Sequence, residues 1–224
     1  MKKWCFITHT QKELNECVLP PITLADDHAV ALARLVPVLG CGEEAAALAF
    51  DGLAENCREN PAAQIALNLI AAEERIHERM MQSLSAGLPH IAEQGDILRR
   101  AQRLHIQLGV GSARHHLAKI AALDAAVCTV LSRLLRRNGP LAGDPVVYHL
   151  LSRIRRDEAR HVALSRSLAL ATGNAADLRD DCAAARRALA DILMLEAGAF
   201  ETLGVDPAVL ESDIGTLPNG LLIG

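Results

Sequence analysis

The segment RIRRDEARHVALS, residues 153–165, decides how this chain is read. It carries Asp157, Glu158 and His161 among Leu150, Leu151, Ile154, Val162 and Leu168, residues that seek burial. On a helix, side chains at i and i+3 stand about 60° apart, so Glu158 and His161 leave the same face. That face also holds Val147, Leu151, Ile154 and Leu168, which directs an acid and an imidazole into apolar surroundings. The segment AAEERIHERMM, residues 71–81, repeats the pattern. Glu73, Glu74 and His77 match Asp157, Glu158 and His161, and Glu74 and His77 share their face with Leu67, Ile70, Met81 and Leu84.

Buried charge is tolerated when it is paired or bound to metal. Two carboxylate–imidazole pairs from two helices suit metal ions with open positions. A two-metal site needs further carboxylates from the neighbouring helices. Between Ser112 and Arg137 the only acid is Asp124, set in a stripe of Leu117, Ile120, Val127, Leu131 and Leu135. Earlier in the chain, Glu43 falls among Val36, Leu39, Phe50 and Leu53 at about 100° per residue. Glu44 falls with Asp51, Glu55 and Arg58 on the polar side, so Glu43 is favoured over Glu44.

Height along the helices is an independent check. Glu74 lies 14 residues after Asn60 and Glu43 lies 17 before it. Glu158 lies 14 after Asp144 and Asp124 lies 14 before Asn138. Residues equally far from the turn of an antiparallel hairpin meet, so four helices bring their acids to one level. The two hairpins read as a divergent internal duplication.

The rest of the chain is helical in pattern, rich in Ala, Leu and Arg and without strand-like alternation. Asn60-Pro61 and Asp144-Pro145 are starts in which a cap precedes proline at the first helical position. These signals predict a helix ending near Arg58, with Pro37 starting or kinking it, then helices from Pro61 to about Ser85, to about Arg137, and from Pro145 to Thr172. A further helix is expected at about 176–203, and a short one at about 96–108 within the connection between the hairpins. Residues 1–22 and 205–224 show no decisive pattern. The expectation is an all-α, single domain over 1–224: a four-helix bundle at about 36–172 with one long crossover, plus the additional helix.

Hydrophobic residues make up 50% of the 224, enough for one substantial core. With 23 basic and 27 acidic residues the net charge is −4, which argues against nucleic acid as the main partner. No apolar run is long enough to span a membrane, and MKKWCFITHTQKEL lacks the apolar stretch of a signal peptide. The six cysteines form no C-x-x-C pair and read as reduced thiols of a cytoplasmic protein.

The paired E-x-x-H helices with an acid in each partner helix resemble the ferritin-like diiron-carboxylate superfamily over about residues 36–172. The resemblance implies a ferritin-like bundle holding two iron ions on Glu43, Glu74, His77, Asp124, Glu158 and His161, residues that would be both metal ligands and the catalytic set. Manganese or a mixed iron–manganese pair satisfies the same oxygen and nitrogen donors. Either Asp124 or Glu158 would join Glu74 in bridging or chelating the ions. It further implies that Asp157 orients His77 and Glu73 orients His161 across the hairpins. Asp124 departs from the family, whose corresponding residue is usually Glu. Rubrerythrins are disfavoured by the missing C-x-x-C pairs, and Ile154 stands where related arylamine N-oxygenases often carry an additional histidine.

The expected function is activation of dioxygen to oxidise or hydroxylate a small organic substrate, with electrons from an external donor and a homodimer left open. The alternative is iron oxidation and storage, or peroxide detoxification. With aromatics at 2%, the substrate cavity should be lined by Ala, Leu, Ile, Val and Cys128 and favour a compact or aliphatic molecule. His115 and His116 read as surface or core-edge residues, and His105 has no partner at ligand spacing.

Overall fold

Asn60 and Asp144 each begin a helix by the same chemistry. The Asn60 side chain accepts from the Ala63 amide at 3.1 Å, ahead of Pro61. Asp144 Oδ1 accepts from the Val146 and Val147 amides, each at 2.9 Å, ahead of Pro145. Such caps satisfy amides that have no partner inside the helix. The computed structural model describes residues 19–92, 94–171 and 173–217. Cys5, Cys17, His9 and the segment read for a signal peptide lie outside them.

The helices are α1 (Asp26–Glu55), α2 (Pro61–Ala86), α3 (Gly95–Leu108), α4 (Ala113–Leu134), α5 (Pro145–Leu170), α6 (Arg179–Leu193), α7 (Ala197–Thr202) and α8 (Pro207–Thr216). No strand occurs among the described residues. The chain is thus all-α, with α1 packed on α2 and α4 on α5 as two hairpins, α3 in the crossover and further helices after the bundle.

Three boundaries differ from the sequence expectation. The first helix begins at Asp26 and runs through Pro37, because the proline removes one intrahelical donor while the apolar face of α1 stays packed. The additional helix is broken: a 3₁₀ turn at Ala175–Leu178, α6, a second 3₁₀ turn at Met194–Glu196, and α7. Residues 207–216, which carried no decisive pattern, form α8, capped by Asp206 on the Ala208 and Val209 amides.

The interior is divided. One apolar cluster contains Leu39, Met81, Leu123, Val147 and Ile154, and another contains Phe50, Leu67, Ile70, Leu117 and Ala169. The acids and histidines of the four bundle helices occupy the level between them. On one side of the bundle α3 packs against both α1 and α6, and α6 packs on α4. The crossover and the first helix after the bundle therefore cover the side where α1 and α4 face each other.

Candidate metal centre

Helical spacing brings six ionisable side chains to this level, Glu43 from α1, Glu74 and His77 from α2, Asp124 from α4, and Glu158 and His161 from α5. None is more than 6% exposed. Glu44, next to Glu43, is exposed.

His77 Nδ1 lies 3.2 Å from Glu43 Oε2, 3.2 Å from Glu74 Oε2 and 3.1 Å from Glu158 Oε1. His161 Nδ1 lies 2.9 Å from Glu74 Oε1 and 3.6 Å from Glu158 Oε1. Glu74 and Glu158 therefore face both imidazoles, whose ring centres are 5.7 Å apart. Donor atoms of Glu43, Glu74, His77 and Glu158 all fall within 4.8 Å of one another.

The far nitrogen of each ring is held by the opposite hairpin. His77 Nε2 meets Asp157 Oδ2 at 3.2 Å, and His161 Nε2 meets Glu73 Oε2 at 2.8 Å. With Nε2 engaged by its acid, each Nδ1 is aimed at the carboxylate cluster. One guanidinium joins the two acids: Arg160 Nη2 donates to Asp157 Oδ1 at 2.8 Å and to Glu73 Oε1 at 3.1 Å. The sequence reading did not single out Arg160. Its signal was the i, i+3 spacing from Asp157.

The donor set fits metal. Glu74 Oε1, Asp124 Oδ2, Glu158 Oε1 and His161 Nδ1 are buried without a hydrogen bond. Proximity between Glu74 Oε1 and His161 Nδ1 lacks hydrogen-bond direction, so these atoms converge on shared space rather than pair. Four carboxylates are also too much negative charge for a dry interior. Burial and the charge of Glu158 push the Glu43 carboxyl well above its ordinary range. Burial, then Glu158 and Glu74, does the same to Asp124. Against the cost of burial, the adjacent His161 and His77 imidazoles bring Glu74 down to about 2. Burial likewise opposes the charged form of His161, yet Glu158 and Glu74 hold it at about 11. Cations at the centre would replace these protons.

A cavity of about 50 Å³ opens beside the cluster. Glu43, Glu74, Asp124 and Glu158 form its floor, with Val38, Leu39, Ile120 and Leu123 among its apolar walls. His105 and His116, both half-buried, line it too, His116 from the core edge where the sequence placed it. His105 arrives from the crossover helix, whose position follows from tertiary packing and not from local spacing. The placing of Cys128 in the cavity is corrected. That residue lines a surface cleft with Ser132, Tyr148 and Arg155 rather than this cavity, and its thiol donates to the Arg155 carbonyl at 3.6 Å. His115, by contrast, pairs with Asp181 at 2.6 Å.

Fold and site together define a ferritin-like helical bundle whose core holds a carboxylate–histidine cluster compatible with a diiron site. Among solved structures the chain is similar to a protein with aldehyde deformylating oxidase activity from Synechococcus, with a TM-score of 0.71 and 17% identity. The match covers 89% of this chain and 91% of that one. No family model matches the sequence, and no curated protein matches it.

Proposed function

We propose that the chain is a diiron oxidase or oxygenase acting on a small organic molecule. The observation that carries this reading is the crossed arrangement: two histidines, each turned toward two shared carboxylates and each held from behind by the other hairpin. Glu43 and His77 would hold one ion, Asp124 and His161 the other, with Glu74 and Glu158 facing both. Ferrous ions held by these residues would supply electrons for the reduction of dioxygen. Four carboxylates balance the charge of two divalent cations, so the loaded core is close to neutral. Asp157 and Glu73 fix the tautomer and direction of the imidazoles. The apolar walls beside the cluster keep bulk water from it. An external donor would return the electrons. Burial pushes the nearby Cys128 thiol up to about 12, which unsuits it for redox work.

The test begins with metal analysis of protein produced with added iron, and two equivalents per chain are expected. Adding many equivalents of ferrous iron in air then separates this reading from storage. Oxygen uptake limited to a few irons per chain supports an oxidase. Hundreds of irons retained per assembly would overturn it. Two equivalents of manganese with no iron would move the metal assignment and leave the ligand set.

A further inference from the structure

The two cavity histidines are not among the side chains that would hold metal. His105 comes from α3 and His116 from α4, far apart in sequence and brought to one cavity by the crossover. The Cε1–Nε2 edge of His105 lies over Gly42, where an added Cβ would sit 3.7 Å from both atoms. That places the ring beside the residue next to Glu43. His116 is close to Gly109, at the end of α3, whose added Cβ would lie 3.8 Å from its Cε1. Neither imidazole makes a hydrogen bond with the described residues. The cavity is therefore a mostly apolar chamber with polar atoms of two kinds, the carboxylate floor and two unengaged rings.

We propose that His105 and His116 bind the head of the substrate, and that the substrate is a compact, uncharged molecule with an aliphatic body and a hydroxyl or carbonyl head. This rests on the oxidase reading of the same site and adds to it the class of molecule accepted. Size follows from the cavity. About 10–15 Å³ of such space holds one water-sized group, so 50 Å³ holds a molecule of roughly four. Head-group charge follows from the lining, which contains no Lys or Arg to receive an anion. A carboxylate would find no cation of the chain to pair with, and once two divalent cations balance the four acids an ammonium would find no net negative charge either. A neutral imidazole, in contrast, offers one N–H donor and one acceptor nitrogen, the complement of a hydroxyl. Burial lowers His105 to about 4 and, with Lys119, also lowers His116, so both rings are neutral near pH 7. The walls, Leu39, Ile120, Leu123 and Leu108 among them, suit an alkyl body and include no Phe, Tyr or Trp. Such specificity belongs to a pocket of apolar walls with a few placed polar groups.

The experiment titrates 1-propanol, propionate, propylammonium and 1-chloropropane into the full chain, with and without ferrous iron under anaerobic conditions, and follows binding by ligand-observed NMR. Propanol should bind saturably, with propionate and propylammonium each at least about tenfold weaker. A lost hydrogen bond between neutral groups is worth roughly a fivefold to tenfold change. His105→Phe and His116→Phe should each weaken propanol by about that factor and leave 1-chloropropane unchanged. His105→Gln, which keeps a donor and an acceptor, should recover most of the loss. Equal propanol binding in the double His105→Phe, His116→Phe variant would overturn the proposal. So would tighter binding of propionate or propylammonium than of propanol. Failure of iron to bind, with propanol selectivity intact, would overturn the oxidase reading alone.

Discussion

The hairpins α1–α2 and α4–α5 build the same motif with unequal parts, and the inequality falls at the candidate metal centre. In the first hairpin a long arm, Glu43, reaches His77 at 3.2 Å, and Nδ1 of that ring has three carboxylate oxygens within 3.2 Å. In the second the corresponding acid is Asp124, one methylene shorter, and its Oδ2 is buried without a hydrogen bond. His161 has Glu74 at 2.9 Å but Glu158 only at 3.6 Å. The acids behind the rings differ as well. Asp157, behind His77, has a side chain 13% exposed, whereas Glu73, behind His161, is 38% exposed. Two hairpins of like pattern thus yield two half-sites, one enclosed and closely surrounded, the other looser and nearer solvent. Two ions held there would differ in affinity.

The strongest way to break this comparison is to remove what the halves share. Glu74→Ala and Glu158→Ala should each lose both metal equivalents, measured by elemental analysis after gel filtration. Retention of one full equivalent in both variants would show that the halves do not depend on common carboxylates.

Removing what each half owns should sharpen it. Glu43→Ala and Asp124→Ala should each lose about one equivalent, and Glu44→Ala should lose none and change stability by no more than about 0.5 kcal/mol. Asp124→Glu, which gives the second half the longer arm, should narrow the affinity difference between the two ions in an anaerobic ferrous titration.

A smaller effect is expected behind the histidines. Asp157→Asn should weaken metal binding roughly 10- to 100-fold. Glu73→Gln should cost less, because its exposed carboxylate is replaced more easily by water. Equal losses would remove the distinction drawn from exposure.

The smallest difference concerns the hairpin starts. Asn60 caps one amide, whereas Asp144 caps two and also accepts from the Thr23 amide at 2.5 Å and hydroxyl at 3.0 Å. Asp144→Ala should cost about 1–2 kcal/mol in urea unfolding, and Asn60→Ala about 1 kcal/mol. Burial opposes ionisation of Asp144, but the bonds from Thr23, Val147 and Val146 lower its pKa below the ordinary value. Its ionised form is therefore favoured on folding. That contribution is full above the unfolded pKa of about 3.9 and is lost as pH falls through the lower folded value. The stability gap between the wild type and Asp144→Ala should shrink accordingly below about pH 4.

Much of this molecule is local in origin. Glu74 with His77 and Glu158 with His161 share faces because an α-helix turns about 100° per residue, whatever packs around it. Counting from Asn60 and Asp144 placed four acids at one level, because antiparallel neighbours rise at the same rate. The preference for Glu43 over Glu44 followed from the apolar stripe around it, and burial agrees. The crossed contacts of Asp157 with His77 and Glu73 with His161 came from resemblance, since no spacing within one helix relates residues of two hairpins. Only the tertiary structure decided the rest. It breaks the chain after the bundle into α6 and α7, where the helical pattern ran on, and carries α1 through Pro37, where local rules also allowed a start. It sends Cys128 to the outer cleft and brings His105 from the crossover to the cavity. Helical periodicity specifies the direction of a side chain relative to its own axis. What that side chain meets depends on where the neighbouring axes lie, and for α3 and α6 those positions are set by packing across the bundle, not by the spacing of their residues.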